Sequence, residues 1–110
     1  MKDKNIKVMK HITFLLDDTI KPGAVFDLDG KLLYVNNSFR DGFVNDGKEN
    51  IKELFIGTAT DFWDYVIRAI KKTDNKTFEV NIQLVGNKVD SVKMHLEYFE
   101  DVQQVIALFD

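Results

Sequence analysis

Carboxylate pairs are the residues of this chain whose type and spacing come closest to a catalytic pattern. General acid–base catalysis needs two such groups in one cleft with separated pKa values. Asp and Glu also favour turns and helix caps, and the pairs of this chain fall mainly at predicted turns and helix ends. We therefore interpret the pairs as structural; they are Asp17/Asp18, Asp27/Asp29, Asp61/Asp64 and Glu100/Asp101.

The other residue types that carry chemistry are few. The chain has 110 residues with no cysteine and two histidines, His11 and His95, which excludes disulfides, thiolate metal sites and cysteine nucleophiles. Ser38 and Ser91 have no evident histidine partner, and no His, Asp and Glu cluster has metal-ligand spacing. The glycines are scattered singly and form no phosphate-binding loop. The sequence predicts no catalytic residue and no metal site, so we do not expect an enzyme.

Charge and hydropathy narrow the classes of partner. The net charge is −3 and the pI about 5.3, and Lys71-Lys72 is the only lysine pair, so neither a nucleic acid nor an anionic membrane surface is expected. No apolar run approaches the roughly 20 residues of a membrane span. The N-terminal MKDKNIKVMK is charged but precedes no apolar segment of signal-peptide type. We expect a cytoplasmic chain without membrane insertion.

Residues 1–21 are predicted to form an amphipathic helix and a linker, ahead of a single domain at 22–110. Apolar residues recur at steps of three and four from about residue 4 to 17, and Pro22-Gly23 ends the segment. The stripe has two interpretations, a dimer interface or packing on the sheet of the same chain. It consists of Ile6, Met9, Ile12 and Leu16, with Lys4, Lys7 and Lys10 on the polar face.

The stretch from Ala24 to Phe39, AVFDLDGKLLYVNNSF, predicts a hairpin and a capped helix. Strands at 24–28 and 31–35 flank Asp29-Gly30, a pair that favours a two-residue turn with positive φ at both positions. Asn36, Asn37 or Ser38 would then cap a short helix in which Phe39 and Phe43 lie one turn apart. The sequence does not distinguish among these three capping residues.

Two further helices and three strands complete the prediction. A single helical turn is expected at 51–55, and a longer helix at 59–72, opened by a Thr58/Asp61 capping box. Strands are expected at 78–84 and 92–98 from their period-two alternation, after a polar loop at 73–76. Val105–Phe109 is apolar at every position, so this strand should be central and covered on both faces. The order of elements favours an α+β domain with an antiparallel sheet and its helices on one face.

Over residues 22–110 the sequence resembles a PAS domain, a sensory and signalling module. The resemblance rests on the opening GAVFDLDGKLLYVNNSF and on a three-strand meander that closes in ALFD. It implies a PAS-like five-stranded antiparallel sheet in the order 2-1-5-4-3, with an additional N-terminal amphipathic helix. It also implies an output domain in the parent protein, such as a histidine kinase, nucleotide cyclase or transcription regulator, linked near Asp110.

The resemblance further implies a ligand between the sheet and the helices. The same side chains have a second interpretation, since close packing is the default for an interior and the aromatic residues would simply fill the core. The candidate lining residues are Phe26, Phe39, Phe43, Phe62, Val66, Phe78, Met94, Leu96 and Ile106.

No cofactor is predicted for this pocket. Haem-binding PAS domains usually supply a histidine from the longer helix or its loop, but none occurs between Ala59 and Lys76, and His95 should face outward. A cysteinyl-flavin adduct is disfavoured because the chain has no cysteine. Non-covalent flavin near Trp63 stays open, although Trp63 also suits the core.

Two functions follow from the sequence. The first is a cytoplasmic sensory module that binds a small apolar ligand or transmits a signal to an attached output domain. The alternative is a ligand-free interaction domain that forms a homodimer through the N-terminal helix and the outer face of the sheet.

Overall fold

A computed structural model of the protein describes residues 15–43, 48–86 and 88–110. Most of the predicted N-terminal helix, including Ile6, Met9 and Ile12, lies outside these ranges. Residues 15–17 are helical, and the Leu16 side chain among them is buried.

The first two strands form the predicted hairpin but with a different turn. Strand β1 is Gly23–Asp27 and β2 is Leu32–Val35, so the loop is longer than two residues. Gly30 alone takes a positive φ, 86°, while Asp29 does not. The predicted two-residue turn is wrong because the Asp27 carboxylate accepts hydrogen bonds from the N–H groups of Asp29 and Lys31, both at 2.9 Å, and thereby stabilises the wider loop.

Helix α1, Asn37–Gly42, follows the hairpin as predicted, with Asn36 as its N-cap. Ile51–Glu53 forms a single 3₁₀ turn, in which Asn50 and Glu53 form a capping box. The N–H groups at the start of this short turn are therefore satisfied locally by side chains.

Helix α2, Phe62–Thr73, begins three residues later than predicted. The predicted Thr58/Asp61 capping box is wrong, because Asp61 occupies the N-cap position without a side-chain hydrogen bond. The Phe62 N–H instead donates to the Ala59 carbonyl at 3.1 Å, which closes a turn ahead of the helix. Residues 57–60 form an exposed loop, which is one wall of the cleft described below.

The remaining strands form a meander. Strand β3 is Asn75–Leu84, β4 is Lys88–Phe99 and β5 is Gln104–Phe109. The predicted polar loop at 73–76 is shorter than expected, since pairing with β4 already begins at Asn75. The five strands form one antiparallel sheet in the order β2-β1-β5-β4-β3, which confirms the predicted order and the α+β class.

The two faces of the sheet differ in how completely they are covered. On the inner face, Val105, Ala107 and Phe109 of β5 are buried in the main core beneath the helices. On the outer face, Ile106 and Leu108 are only half-buried and pack in a small cluster with Leu16 and Val25. The prediction that both faces of β5 are covered is thus confirmed for the inner face and only partly for the outer face. Along the described ranges, no helix has the length and apolar character needed to cross a membrane.

Candidate functional site

The structure brings eight of the nine predicted pocket residues together on the inner side of the sheet. Ile106 is the exception: alternation along β5 turns it to the outer face, so its assignment to the pocket was wrong. The other eight belong to the main hydrophobic core or pack against it; they are Phe26, Phe39, Phe43, Phe62, Val66, Phe78, Met94 and Leu96.

At the α1 end of this core, three rings pack on one another. The Phe39 and Phe43 centroids lie 4.8 Å apart, as their spacing on α1 predicts, and Phe109 lies 5.7 and 5.1 Å from them. All three contacts are edge-to-face, the favoured geometry for aromatic rings. At this end the aromatic side chains fill the interior, as in the second interpretation of the pocket residues.

At the other end, a continuous row of rings runs from the sheet to the surface. Phe26 of β1 contacts Trp63 at 5.3 Å between centroids, and Trp63 contacts Phe55 at 6.3 Å. Phe55 contacts Phe62 at 5.8 Å, and Phe62 contacts Phe78 of β3 at 6.3 Å. The row links the start of α2 to two strands of the sheet.

A cleft of about 300 Å³ opens to solvent on this row of rings. Phe55, Phe62 and Trp63 line it together with residues 57–60, and among the described lining residues Lys52 alone carries a positive charge. The Trp63 indole N–H is already used, because it donates to the Leu28 carbonyl at 2.9 Å. The lining therefore offers apolar ring faces and one ammonium group, which suits a small aromatic or apolar ligand, including one with a single negative charge.

The sequence predicted Phe62 of this cleft but not the cleft itself. The helix prediction began at Ala59, which placed residues 59–61 inside α2 and removed the loop that forms the wall. The signal that could have found the loop is Gly57. Its φ of 72° lies in the left-handed region, which glycine adopts more easily than other residue types and which ends the preceding helical turn.

The Asn36 side chain joins three segments of the chain through four hydrogen bonds. Its Oδ1 accepts from the N–H groups of Gly23 at 2.9 Å and Phe39 at 3.0 Å. Its Nδ2 donates to the carbonyls of Leu16 and Lys21, both at 2.9 Å. Asn36 is only 1% exposed; its bonds to Gly23, Phe39 and Leu16 are buried, and its bond to Lys21 is partly buried. The predicted cap residue is therefore also the anchor of the segment that precedes the domain.

Two further contacts tie the ends of the domain to the outer face. The Tyr34 hydroxyl donates to the Asp17 carboxylate, and this hydrogen bond, with smaller contributions from burial and the Asp17 charge, raises the pKa of Tyr34. At the other end, the Asp110 carboxylate lies 3.5 Å from Lys21 Nζ and 3.8 Å from His95 Nε2. Lys21, which precedes β1, and Asp110, which follows β5, therefore meet at one side of the sheet.

The remaining chemical candidates are dispersed. His95 is on the outer face, where its Nδ1 lies 2.7 Å from Thr77 Oγ1, as predicted for an outward-facing residue. Asp27 serves the hairpin turn, in keeping with its predicted structural role. Within the described part of the chain, no three His, Cys, Asp or Glu residues are grouped in a way that could hold a metal ion.

Solved structures of the same architecture are PAS and LOV domains. The PAS domain of an HTR-like protein from Haloarcula marismortui is 17% identical, with a TM-score of 0.73 over 94% of this chain and 96% of that one. A domain of a sensory box sensor histidine kinase/response regulator from Geobacter sulfurreducens is 14% identical, with a TM-score of 0.72 over 92% and 91%. The LOV protein of Rhodobacter sphaeroides is 14% identical, with a TM-score of 0.72 over 94% of this chain and 66% of that one.

Comparison by sequence finds no match: no family model and no curated protein matches the chain. The likeness is therefore carried by the strand order, the placement of the helices and the hairpin-to-α1 junction. Together with the structural neighbours, these features identify the chain as a domain of the PAS fold.

Proposed function

We propose that this chain is a sensory PAS module that binds a small apolar or aromatic ligand and passes the binding state to an attached output domain. The observation that carries the proposal is the cleft on Phe55, Phe62 and Trp63, because its floor continues through ring contacts to Phe26 at the centre of the sheet. A ligand on these rings would contact the same packing that holds α2 against β1.

The path from the cleft to the ends of the domain is short. Phe26 lies in β1, and β1 begins at Gly23, whose N–H is bonded to Asn36. Asn36 in turn holds the carbonyls of Leu16 and Lys21 in the preceding segment. We propose two arrangements of the domain that differ in the tilt of β1 and therefore in the Asn36 hydrogen bonds. A ligand shifts the equilibrium between them only if it binds one arrangement more tightly than the other.

The parent protein and its location belong to the same proposal. Structural neighbours include domains of sensor histidine kinases, which favours a kinase output over a nucleotide cyclase or a transcription regulator. Such an arrangement would place the module in a cytoplasmic signalling protein.

The first experiment is native mass spectrometry of the chain purified from its own host, followed by ligand titration. Trp63 is the single tryptophan of the chain, so its fluorescence reports directly on the cleft. We expect a bound small molecule, and a saturable change in Trp63 emission when that molecule is added back to stripped protein. Protein that carries no small molecule, with no thermal shift in a panel of aromatic and apolar compounds, would contradict ligand sensing.

A matched pair of variants assigns the binding to the cleft. Ala59→Phe places a ring in the opening of the cleft and should abolish the fluorescence titration. Val85→Phe adds the same ring at a turn residue that is 56% exposed and does not line the cleft, and should leave the titration unchanged. Equal binding by both variants would place the ligand elsewhere.

A ligand-free interaction domain is the second candidate, and the outer face of the sheet favours it. Ile106 and Leu108 border a groove of about 320 Å³ there, and the cluster around Leu16 covers this face only in part. Leu16 packs on its own sheet, which supports the intramolecular interpretation of the stripe for that residue. A homodimer would then use the outer face together with the sequence-predicted stripe at Ile6, Met9 and Ile12.

Sedimentation velocity over a range of concentrations tests the homodimer. We expect Ile12→Asp to shift the protein to monomer, while Lys10→Asp on the predicted polar face of the same segment should leave the dimer intact. A monomer at every concentration, or a dimer that both variants preserve, contradicts this second function.

A further inference from the structure

The outer edge of β3 is covered along only half of its length. Towards its C-terminal end, the Ile56 N–H donates to the Asn81 carbonyl at 2.9 Å, and the Val85 N–H donates to the Gly42 carbonyl at 3.0 Å. Residues two apart along a strand direct their backbone groups to the same edge, so Thr77 and Glu79 share the edge that Asn81 uses. Across the described ranges, no residue supplies a hydrogen-bond partner for the outward N–H and C=O groups of Thr77 and Glu79.

A groove of about 290 Å³ lies beside this open edge, between α2 and the start of β3. Tyr65 is half-exposed at one side, and its ring packs edge-to-face on Phe78 at 6.0 Å. Lys76 has the same parity along β3 as Phe78, so both lie on the α2 side of the strand. The lining residues are Tyr65, Arg68, Ala69, Lys72, Thr73 and Lys76.

The groove concentrates positive charge in a chain whose net charge is −3. Arg68, Lys72 and Lys76 all line it, and no carboxylate of the described ranges lies within ion-pair distance of any of them. Arg68 and Lys72 are one turn apart on α2, a like-charge spacing that slightly destabilises a helix. The arrangement therefore has a small cost that an anionic partner would offset.

We propose that an extended acidic segment of a partner protein binds here as an added strand. Its backbone would pair with the N–H and C=O groups of Thr77 and Glu79. Because side chains alternate along a strand, every second side chain would point into the groove, where carboxylates meet Arg68, Lys72 and Lys76. The side chains between them would face Glu79 and should be neutral or basic. This inference concerns a surface separate from the ligand cleft and stands independently of it.

A polypeptide fits this surface better than a nucleic acid. The open edge presents two carbonyl acceptors, and a phosphate backbone has no donor to offer them. Glu79 on the same edge would repel a continuous polyanion, whereas a segment that alternates acidic with neutral residues avoids it.

The test uses a synthetic peptide that alternates Glu with Thr and Val, titrated into the full chain labelled with ¹⁵N. We expect saturable shifts of the Thr77 and Glu79 amide signals, together with those of α2 near Arg68 and Lys72. The same peptide with Lys in place of Glu should bind at least roughly tenfold more weakly, and so should a peptide N-methylated at the residues that pair with β3.

Two charge reversals provide the matched comparison on the protein side. Lys72→Glu should weaken binding by roughly tenfold or more, and Lys71→Glu, an equal charge change on α2 outside the groove, by less than about twofold. The amide spectra of both variants verify that they are folded. The proposal is overturned if the acidic peptide does not bind, if it binds without shifts at Thr77 and Glu79, or if both reversals act equally. Concentration-dependent shifts at this edge without peptide would assign it to a second copy of the chain and overturn it as well.

Discussion

At the scale of single residues, the buried Asn36 side chain makes four hydrogen bonds to the backbone. One amide group caps α1, holds the start of β1 and binds two carbonyls of the segment before it. The capping role could be predicted, because Asn before a helical pattern is a common N-cap. The hydrogen bonds to the two carbonyls could not be predicted, since Leu16 and Lys21 become neighbours of Asn36 only when the hairpin is folded.

Replacing the Asn36 amide with a carboxylate separates its role as an acceptor from its role as a donor. Asn36→Asp keeps an acceptor for Gly23 and Phe39 but turns a second oxygen towards the carbonyls of Leu16 and Lys21. We expect a loss of about 3 kcal/mol in the free energy of unfolding, measured by urea denaturation, because a buried carbonyl and a partly buried one lose their donor. Asn37→Asp makes the same change at the exposed neighbouring position and should cost no more than about 0.5 kcal/mol. Similar losses in the two variants would show that the buried amide has no special role.

The contact between Tyr34 and Asp17 predicts a pH dependence. The folded protein holds the phenol proton more tightly than the unfolded chain, because the Asp17 carboxylate accepts it and disfavours the phenolate, which raises the pKa of Tyr34. The contact therefore stabilises the fold below the ordinary tyrosine pKa of about 10 and is lost as pH rises through the higher folded value.

An absorbance titration of phenolate formation measures this shift. Subtracting the curve of Tyr34→Phe from that of the unmodified chain isolates Tyr34 from the other two tyrosines. We expect Asp17→Asn to move the isolated curve to lower pH. An unchanged curve would show that the carboxylate does not hold the phenol proton.

At the scale of elements, local sequence patterns predicted the strands better than the turns. The period-two alternation of β3 and β4 and the apolar run of β5 placed all three strands, with shifts only at their ends. The turn before Gly30 and the start of α2 were wrong for a shared reason. Asp and Thr serve turns and caps alike, and the choice depends on which backbone N–H group the fold brings within reach.

The hairpin turn and the 3₁₀ turn form one unit, which two glycines can test. Asn50 Nδ2 donates to the Asp29 carbonyl at 2.9 Å, and a Cβ on Gly30 would lie 2.7 Å from Asn50 Oδ1. Gly86 has a similar φ of 92°, but no atom of the described residues lies within 4 Å of its Cβ position. Both substitutions to Ala introduce backbone strain, and only Gly30→Ala also displaces Asn50.

We therefore expect Gly30→Ala to destabilise the protein by about 1 kcal/mol more than Gly86→Ala, measured by thermal or urea unfolding. Equal destabilisation would indicate that the hairpin and the 3₁₀ turn are not coupled through Asn50.

At the scale of the whole molecule, three features surround one sheet. The cleft on the aromatic row lies at the start of α2, the buried Asn36 junction lies between β1, α1 and the segment before them, and the outer face of the sheet is partly covered. The sheet order followed from the family resemblance, and the apolar run of β5 agreed with it. The cleft did not follow, because it depends on how residues 57–60 are placed against Lys52 and the aromatic row, which no local pattern encodes.

We propose that ligand binding in the cleft alters residues 16–21 through Asn36, and hydrogen–deuterium exchange with and without the small molecule that copurifies with the chain measures this. We expect ligand to change the exchange of the Gly23 and Phe39 amides and of residues 16–21, and Asn36→Asp to remove the change at 16–21 without removing ligand binding. Exchange that changes only around residues 55–63 would show that binding in the cleft does not reach Asn36.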